Sequence, residues 1–357
     1  ERLRALAPCP MAPSALQPLA GRPGGGRRCR GVGTAAAGAG AAAAVAAAAA
    51  LLAGISLLHS GIPLALVLGG SKLPALRGAA LPRSAAAAAA SDLASPVVAV
   101  LGANGRTGGL VVEALLKAGA RPRALTRSGR WTPPGGGSAI PAGVEVGQAD
   151  VTDGASLAAG LAGAVAVVFA CAYSRGGSPP RDVDNAGLVR TARVVRDQGI
   201  GRLIVVSSCA VTRPYAPVGI LLNVIGGGVL LEKLKGESEM RGILKGSKST
   251  YTVVRPGGLK MGPASGFAKL EFNQGDTLVG GVQRADVAAV CAEAALDPEN
   301  RAAGKTFEMY EAAGRNGLLP WYGESKYMVG GQMDCGRMLG TLLDDEAVTD
   351  VPGFLPF

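Results

Sequence analysis

A strand that runs into a glycine turn and then directly into a helix leaves a chain few folds to choose from. Residues 97–101 are VVAVL, Gly102-Ala103-Asn104-Gly105-Arg106-Thr107-Gly108 follows, and an amphipathic stretch covers 110–118. An apolar strand of this kind belongs in a parallel sheet covered on both faces. Gly102 allows a sharp turn, Gly105 keeps side chains off the backbone, and Gly108 lets the helix approach closely. The first N–H groups of the helix lack partners, and its dipole is positive at that end. Both features favour a phosphate, so the expected ligand is the pyrophosphate of a dinucleotide. Ala103, Asn104, Arg106 and Thr107 are expected in the same binding turn.

The alternation continues down the chain. Strands are expected over 121–127, 144–148, 164–170, 203–207, 251–255 and 305–309, and helices over 155–161, 182–198, 230–244 and 284–296. Ala186, Val189, Ala192 and Val195 carry the helical spacing in the longest of these. A Gly/Pro-rich loop around Trp131 fills 128–142. Regular βα alternation predicts an α/β fold, a doubly wound parallel Rossmann sheet with helices on both faces, over residues 92–312. Residues 313–357 read as a C-terminal extension containing Trp321, Tyr322, Tyr327 and Asp344-Asp345-Glu346. It could complete a lid, dock a partner, or wrap over the domain.

Charge separates a leader from the body. The net charge is +10, yet residues 1–91 hold nine basic residues against one acid, and residues 92–357 hold 27 against 25. The body has no basic stripe with interleaved aromatics, which speaks against nucleic-acid binding. Arg22, Arg27, Arg28 and Arg30 precede an uncharged Ala/Gly-rich stretch over 31–71, a targeting composition. It resembles a plastid transit peptide, so the expected location is the chloroplast stroma. A bipartite leader with a lumenal destination and a retained anchor over 41–58 are the alternatives.

Cysteines 9, 29, 171, 209, 291 and 335 show no metal-ligand spacing, and the one histidine, His59, precedes the body. Histidine-dependent acid–base chemistry and His-ligated metals are therefore excluded from residues 92–357, and no metal site is expected.

GANGRTG, DVTD at 150–153, VVFACA at 167–172, RLIVVSS at 202–208, TYTVVRPGGL at 250–259 and RADVAAV at 284–290 occur in that order. As a set they resemble the atypical short-chain dehydrogenase/reductase family, which includes NmrA-like proteins and several plastid proteins. The resemblance covers residues 96–310. It implies that Asp150 and Val151 flank an adenine, that Ala170 and Cys171 back the ribose and pyrophosphate, and that Pro256 and Gly257 close on the nicotinamide side. It also implies that Asp286 anchors its helix and that Tyr251 packs.

No acid ends the strand over 121–127, where NAD-preferring domains bond the ribose 2′-OH. Arg127 stands there, and Arg106 could approach the same group, so NADP(H) is expected over NAD(H). For catalysis the resemblance points to Ser207 or Ser208 and to Lys233, with Lys235 as a fallback. The family tyrosine, four residues before the lysine, is replaced by Val229. Tyr215 is the candidate substitute, in an apolar stretch, 209–228, expected to cover the nicotinamide. Lys233 could also hold ribose hydroxyls, or pair with Glu237 one helical turn on. The body therefore reads as an oxidoreductase for a small carbonyl or quinone-like substrate, or as a dinucleotide-binding redox sensor or assembly factor that does not turn over.

Overall fold

Strands β1 (Val97–Leu101), β4 (Ala166–Phe169) and β5 (Arg202–Val206) carry almost no polar side chain, so neither face can meet water. The computed structural model describes residues 95–137, 139–214, 216–317, 327–330 and 333–348. The expected leader, Tyr215, Trp321 and Tyr322 lie outside the described residues.

Successive side chains point to opposite faces of a strand, and each face has its own core. Val98 and Val100 of β1, Val168 and Ile204 pack with Val111 and Leu115 of α1 (Gly108–Lys117) and with Val287 and Cys291 of α6 (Arg284–Leu296). Ala99, Leu101, Val167 and Leu203 pack on the other side with Leu157 of α2 (Gly154–Leu161), Val195 of α3 (Ala186–Asp197) and Met240 of α5 (Val229–Leu244). Apolar burial on both faces is the main force holding the layers together. A short helix, α4 (Pro217–Ile225), precedes α5.

The sheet completes with β2 (Arg121–Thr126), β3 (Glu145–Gln148), β6 (Thr250–Pro256), β8 (Leu270–Asn273), β11 (Lys305–Glu311) and β13 (Val329–Gly330), in the order β13-β8-β11-β6-β5-β4-β1-β2-β3. Pairing from β3 to β11 is parallel throughout, with Leu101 level with Leu125 on one side and Phe169 on the other. The doubly wound architecture expected from the sequence is therefore present. Beyond β11 the sheet turns antiparallel: Phe272 of β8 is level with Met309 of β11 and with Val329 of β13. Two small ribbons lie beside it, β7 (Gly258–Lys260) with β10 (Gly281–Gln283), and β9 (Leu278–Val279) with β12 (Asn316–Gly317).

The helix expected over 182–198 begins as a π-helical turn, Arg181–Asn185, and becomes α3 at Ala186. The expected extension 313–357 is no separate unit where it is described. It adds β13 to the sheet, and Cys335, Met338 and Leu339 of α7 (Cys335–Thr341) enter the same core as α6.

Asp345 closes this wrap. It is 8% exposed, and its carboxylate accepts the Thr306 amide at 2.6 Å, the Thr306 hydroxyl at 2.7 Å, and Arg241 and Tyr251 at 3.1 Å each. Deleting one partner of a buried ion pair strands the other. We expect Asp345→Ala to cost about 3–5 kcal/mol of unfolding free energy in urea titrations with an unchanged slope. A loss under ~1 kcal/mol would contradict this role.

Candidate functional site

The glycine turn is built from contacts that tolerate no side chain. Gly102 has φ +79°, and a Cβ there would lie 2.9 Å from the Ala170 carbonyl oxygen at the end of β4. Gly105 donates its amide to the Gly102 carbonyl at 2.8 Å, and a Cβ on Gly108 would come within 2.3 Å of that same oxygen. Helix α1 thus starts directly against the turn that ends β1, with Thr107 at its N-cap position. Ala103 faces the core, donates its amide to Leu125 and accepts the Trp131 indole N–H at 3.1 Å. Asn104 donates to the Arg130 carbonyl at 2.8 Å and accepts the Thr132 amide at 3.1 Å. The Gly/Pro-rich loop is thereby stitched to the turn.

Above these residues, at the C-terminal ends of the strands, lies a cleft of about 640 Å³. Gly102, Asn104, Gly105, Arg127, Asp150, Val151, Ala170 and Cys171 all line it, so most of the expected cofactor-binding residues converge on one surface. Asp150 accepts the Thr152 amide at 2.9 Å and its hydroxyl at 2.7 Å. The amide bond is the largest influence holding the Asp150 carboxyl below the usual range; Arg127 and Arg190 act the same way. Burial pushes the Cys171 thiol up to about 12, so at neutral pH it lines the cleft as a neutral thiol. A bare backbone cradle beside a helix start, at the carboxyl ends of parallel strands, fits a dinucleotide.

Of the other expected cofactor residues, Ala103, Thr107 and Gly108 belong to the turn but not to the cleft lining, Lys233 lines a separate small cavity, and Arg106, Pro256 and Gly257 stand elsewhere. Arg106 is exposed, and its charge bears on Arg284 at the start of α6. Pro256 and Gly257 are buried at the end of β6. Gly257 donates to the Met309 carbonyl at 3.0 Å, and a Cβ on it would lie 2.0 Å from the Gly280 carbonyl oxygen. That packing turns them toward the β7–β10 ribbon. Asp286 anchors as expected, accepting the Ser265 and Gly266 amides at 2.9 and 3.0 Å.

The catalytic candidates lie in a polar interior that the sequence reading missed. Ser207, 8% exposed, donates its hydroxyl to Glu237 at 2.5 Å, whereas Ser208 donates to the Cys209 carbonyl. Glu237 is fully buried and also accepts Arg255 at 2.7 Å and Arg241 at 3.2 Å. Burial opposes its ionisation, but the two guanidiniums outweigh burial and hold its carboxyl below the usual range. Lys233 is not the solvated partner of Glu237 that helical spacing allows; its ammonium meets buried Asp184 at 2.8 Å. Ser207, Lys233, Asp184 and Glu237 line one small cavity between α5 and the sheet.

Arg255 continues the network to Glu308 at 3.4 Å, and Glu308 accepts the Asp276 amide at 2.9 Å. Asp276 accepts the Ala210 amide at 2.6 Å and the Thr212 amide and hydroxyl at 2.9 and 2.8 Å. The start of the 209–228 stretch is tied down in this way, and α4 after it exposes Ile220, Leu221, Val224 and Ile225. A signal was present: Arg255 follows the apolar pair Val253-Val254 and Glu308 stands between Phe307 and Met309, and a charge in a strand covered on both faces must be paired. Among the described residues no group of three side chains could hold a metal ion, and no helix is long and apolar enough to cross a membrane.

Burial and the nearby Asp276 charge push Glu308 up to about 8. The folded state therefore binds a proton that the unfolded chain has released, and its stability falls as pH rises from the ordinary carboxylate range through 8. We expect a loss of roughly 1–2 kcal/mol between pH 6 and pH 8 in urea titrations, flattened in Glu308→Gln. An equal slope in both proteins would refute the assignment.

A family profile described as NAD(P)H-binding matches residues 102–298. An uncharacterised chloroplastic protein of Arabidopsis thaliana is 34% identical over 219 residues, which span 57% of this chain and 73% of that protein. Among solved structures, the oxidoreductase ylbE from Lactococcus lactis has a TM-score of 0.51 and 20% identity, over 60% of this chain and 91% of that one. That likeness is one of fold. A glycine cradle under a dinucleotide-sized cleft and a profile over more than half of the chain lead to one family: the chain belongs to the NAD(P)H-binding proteins, on a doubly wound Rossmann-like sheet.

Proposed function

We propose that this protein binds NADP(H) in preference to NAD(H) and passes hydride between it and a quinone-like or conjugated carbonyl substrate in the plastid stroma. The observation that carries the cofactor preference is Arg127 on the cleft wall, at the end of a strand with no acid. A guanidinium suits a 2′-phosphate because its fork of N–H groups matches two phosphate oxygens. Asp150, the acid on the same cleft, is engaged by Thr152.

The cofactor supplies the hydride, so the chain needs only to hold and orient both partners. The substrate class follows from the proton donors. Val229 stands at the position of the family tyrosine, and Ser207 donates its hydroxyl proton to an ionised Glu237. An acceptor whose reduced form spreads its negative charge over a conjugated system asks little of a protein acid. The same two observations favour a second reading, a dinucleotide-binding redox sensor or assembly factor without turnover. The stromal location draws support from the Arg-rich, acid-poor leader and from the chloroplastic designation of the Arabidopsis relative. The C-terminal segment is a candidate docking surface for a thylakoid or envelope partner.

Titration separates the cofactors. We expect Arg127→Ala to weaken NADPH by about tenfold, ~1.4 kcal/mol, and NADH by less than about twofold. NADH binding the unmodified protein more tightly than NADPH would sink the preference. NADPH oxidation against quinones, flavins and aldehydes then tests turnover, with quinones expected to react. Tight binding without oxidation across the panel would select the second reading.

A further inference from the structure

The binding and hydride-transfer reading gives no task to one buried carboxylate beside the cleft. Asp184 sits in the π-helical turn that opens α3, 1% exposed. One carboxylate oxygen stands 2.8 Å from the Lys233 ammonium on α5. The other accepts the Tyr173 amide at 2.8 Å. Tyr173 lies within 171–174, where Cys171, Ala172 and Ser174 line the cleft, as does Val183 next to Asp184. Asp184 therefore ties a cleft wall to the helix that bears the candidate lysine. The backbones are in contact as well: a Cβ on Gly236 of α5 would come 2.7 Å from the Asp184 carbonyl oxygen.

Such a pair is a poor device for stability alone. Taking both charges out of water costs about as much as their attraction returns, and an apolar pair of similar size would pack equally well. Direction is what the pair supplies. A lysine stem is flexible, and its ammonium has three donors. A carboxylate whose second oxygen is taken by the cleft wall holds that ammonium at one spacing from the wall. The bond to Tyr173, whose neighbours Ala172 and Ser174 line the cleft, places the pair beside it.

We propose that Asp184 is a positioning residue that holds the Lys233 ammonium at a set distance from the 171–174 wall, leaving two of its donors for the nicotinamide-side ribose hydroxyls. The proposal rests on the NADP(H) reading above. It makes the nicotinamide half of the ligand depend on Asp184 and the adenosine half independent of it.

The test compares NADPH, followed by nicotinamide fluorescence, with adenosine 2′,5′-bisphosphate, which lacks the nicotinamide riboside. The proteins are the full chain, Asp184→Asn, Lys233→Met and the double variant. We expect Asp184→Asn and Lys233→Met each to weaken NADPH by about tenfold, with bisphosphate affinity held within about twofold. The double variant should bind NADPH no more weakly than Lys233→Met alone. Parallel loss of both ligands would mark a structural role and overturn the proposal. Undiminished NADPH binding by Asp184→Asn, or single losses that multiply in the double variant, would overturn it too. If Asp184→Asn does not fold, the double variant still decides, because it buries no unpaired ion: NADPH affinity equal to that of the unmodified protein refutes the proposal, and affinity equal to that of Lys233→Met supports it. An unmodified protein that bound neither ligand would remove the NADP(H) reading itself. One that bound both, with an unaffected Asp184→Asn, would remove the role of Asp184 alone.

Discussion

Arg255 is fully buried near the C-terminal end of β6, and a guanidinium cannot shed its charge. The interior must therefore supply carboxyl partners, and it does so from two elements: Glu237 on α5, held ionised, and Glu308 on β11, which keeps its proton up to about pH 8. The contact at 2.7 Å makes Glu237 the stronger partner; Glu308, at 3.4 Å and close to Asp276, sits in a surplus of negative charge. Each acid then organises more of the fold. Glu237 takes the Ser207 hydroxyl and Arg241, and Arg241 reaches Asp345 in the C-terminal wrap. Glu308 takes the amide of Asp276, which captures the backbone just after β5. One buried cation thus links the central sheet, the candidate catalytic serine and the last described segment.

The cleft depends on a different kind of constraint. Its cradle is steric, made by backbones approaching where no Cβ can stand, and its walls are held by polar ties at their outer ends. Trp131 and Asn104 hold the Gly/Pro-rich loop to the turn, and Asp184 holds the 171–174 wall to Lys233. A dinucleotide would therefore meet a surface largely formed in advance, which lowers the ordering cost of binding. The absence of a tyrosine at position 229 and the commitment of the Ser207 proton to Glu237 limit the chemistry that the same surface can assist.

Local signals were legible wherever a single element carries them. The glycine turn, the apolar strands, Arg127 and Asp150 are read from a few adjacent residues, and they meet in the cleft because the parallel order of strands brings their C-terminal ends together. What depends on two distant segments was not legible. LEFN at 270–273 is too short and mixed to announce a strand, yet Phe272 stacks on Phe307 with ring centroids 4.6 Å apart and extends the sheet. Pro256 and Gly257 look like a cleft loop in sequence, but the Gly280 backbone covers them. Asp184 carries no sign of its role, because its meaning comes from a lysine 49 positions later. Asp345 is one of three consecutive acids, which read as a solvated cluster until Thr306, Arg241 and Tyr251 are seen to surround it.

By itself the sequence determined the ligand class and the fold. A strand, a bare glycine turn and a helix dipole act over a dozen residues and need no distant partner. Tertiary structure decided how the site is wired. It paired Lys233 with Asp184 rather than with Glu237, turned the Ser207 proton inward, and drew the C-terminal segment into the core. The reason is the low polarizability of a packed interior: a buried charge takes the partner that the fold places within about 3 Å, and sequence spacing along one helix does not say which partner that is.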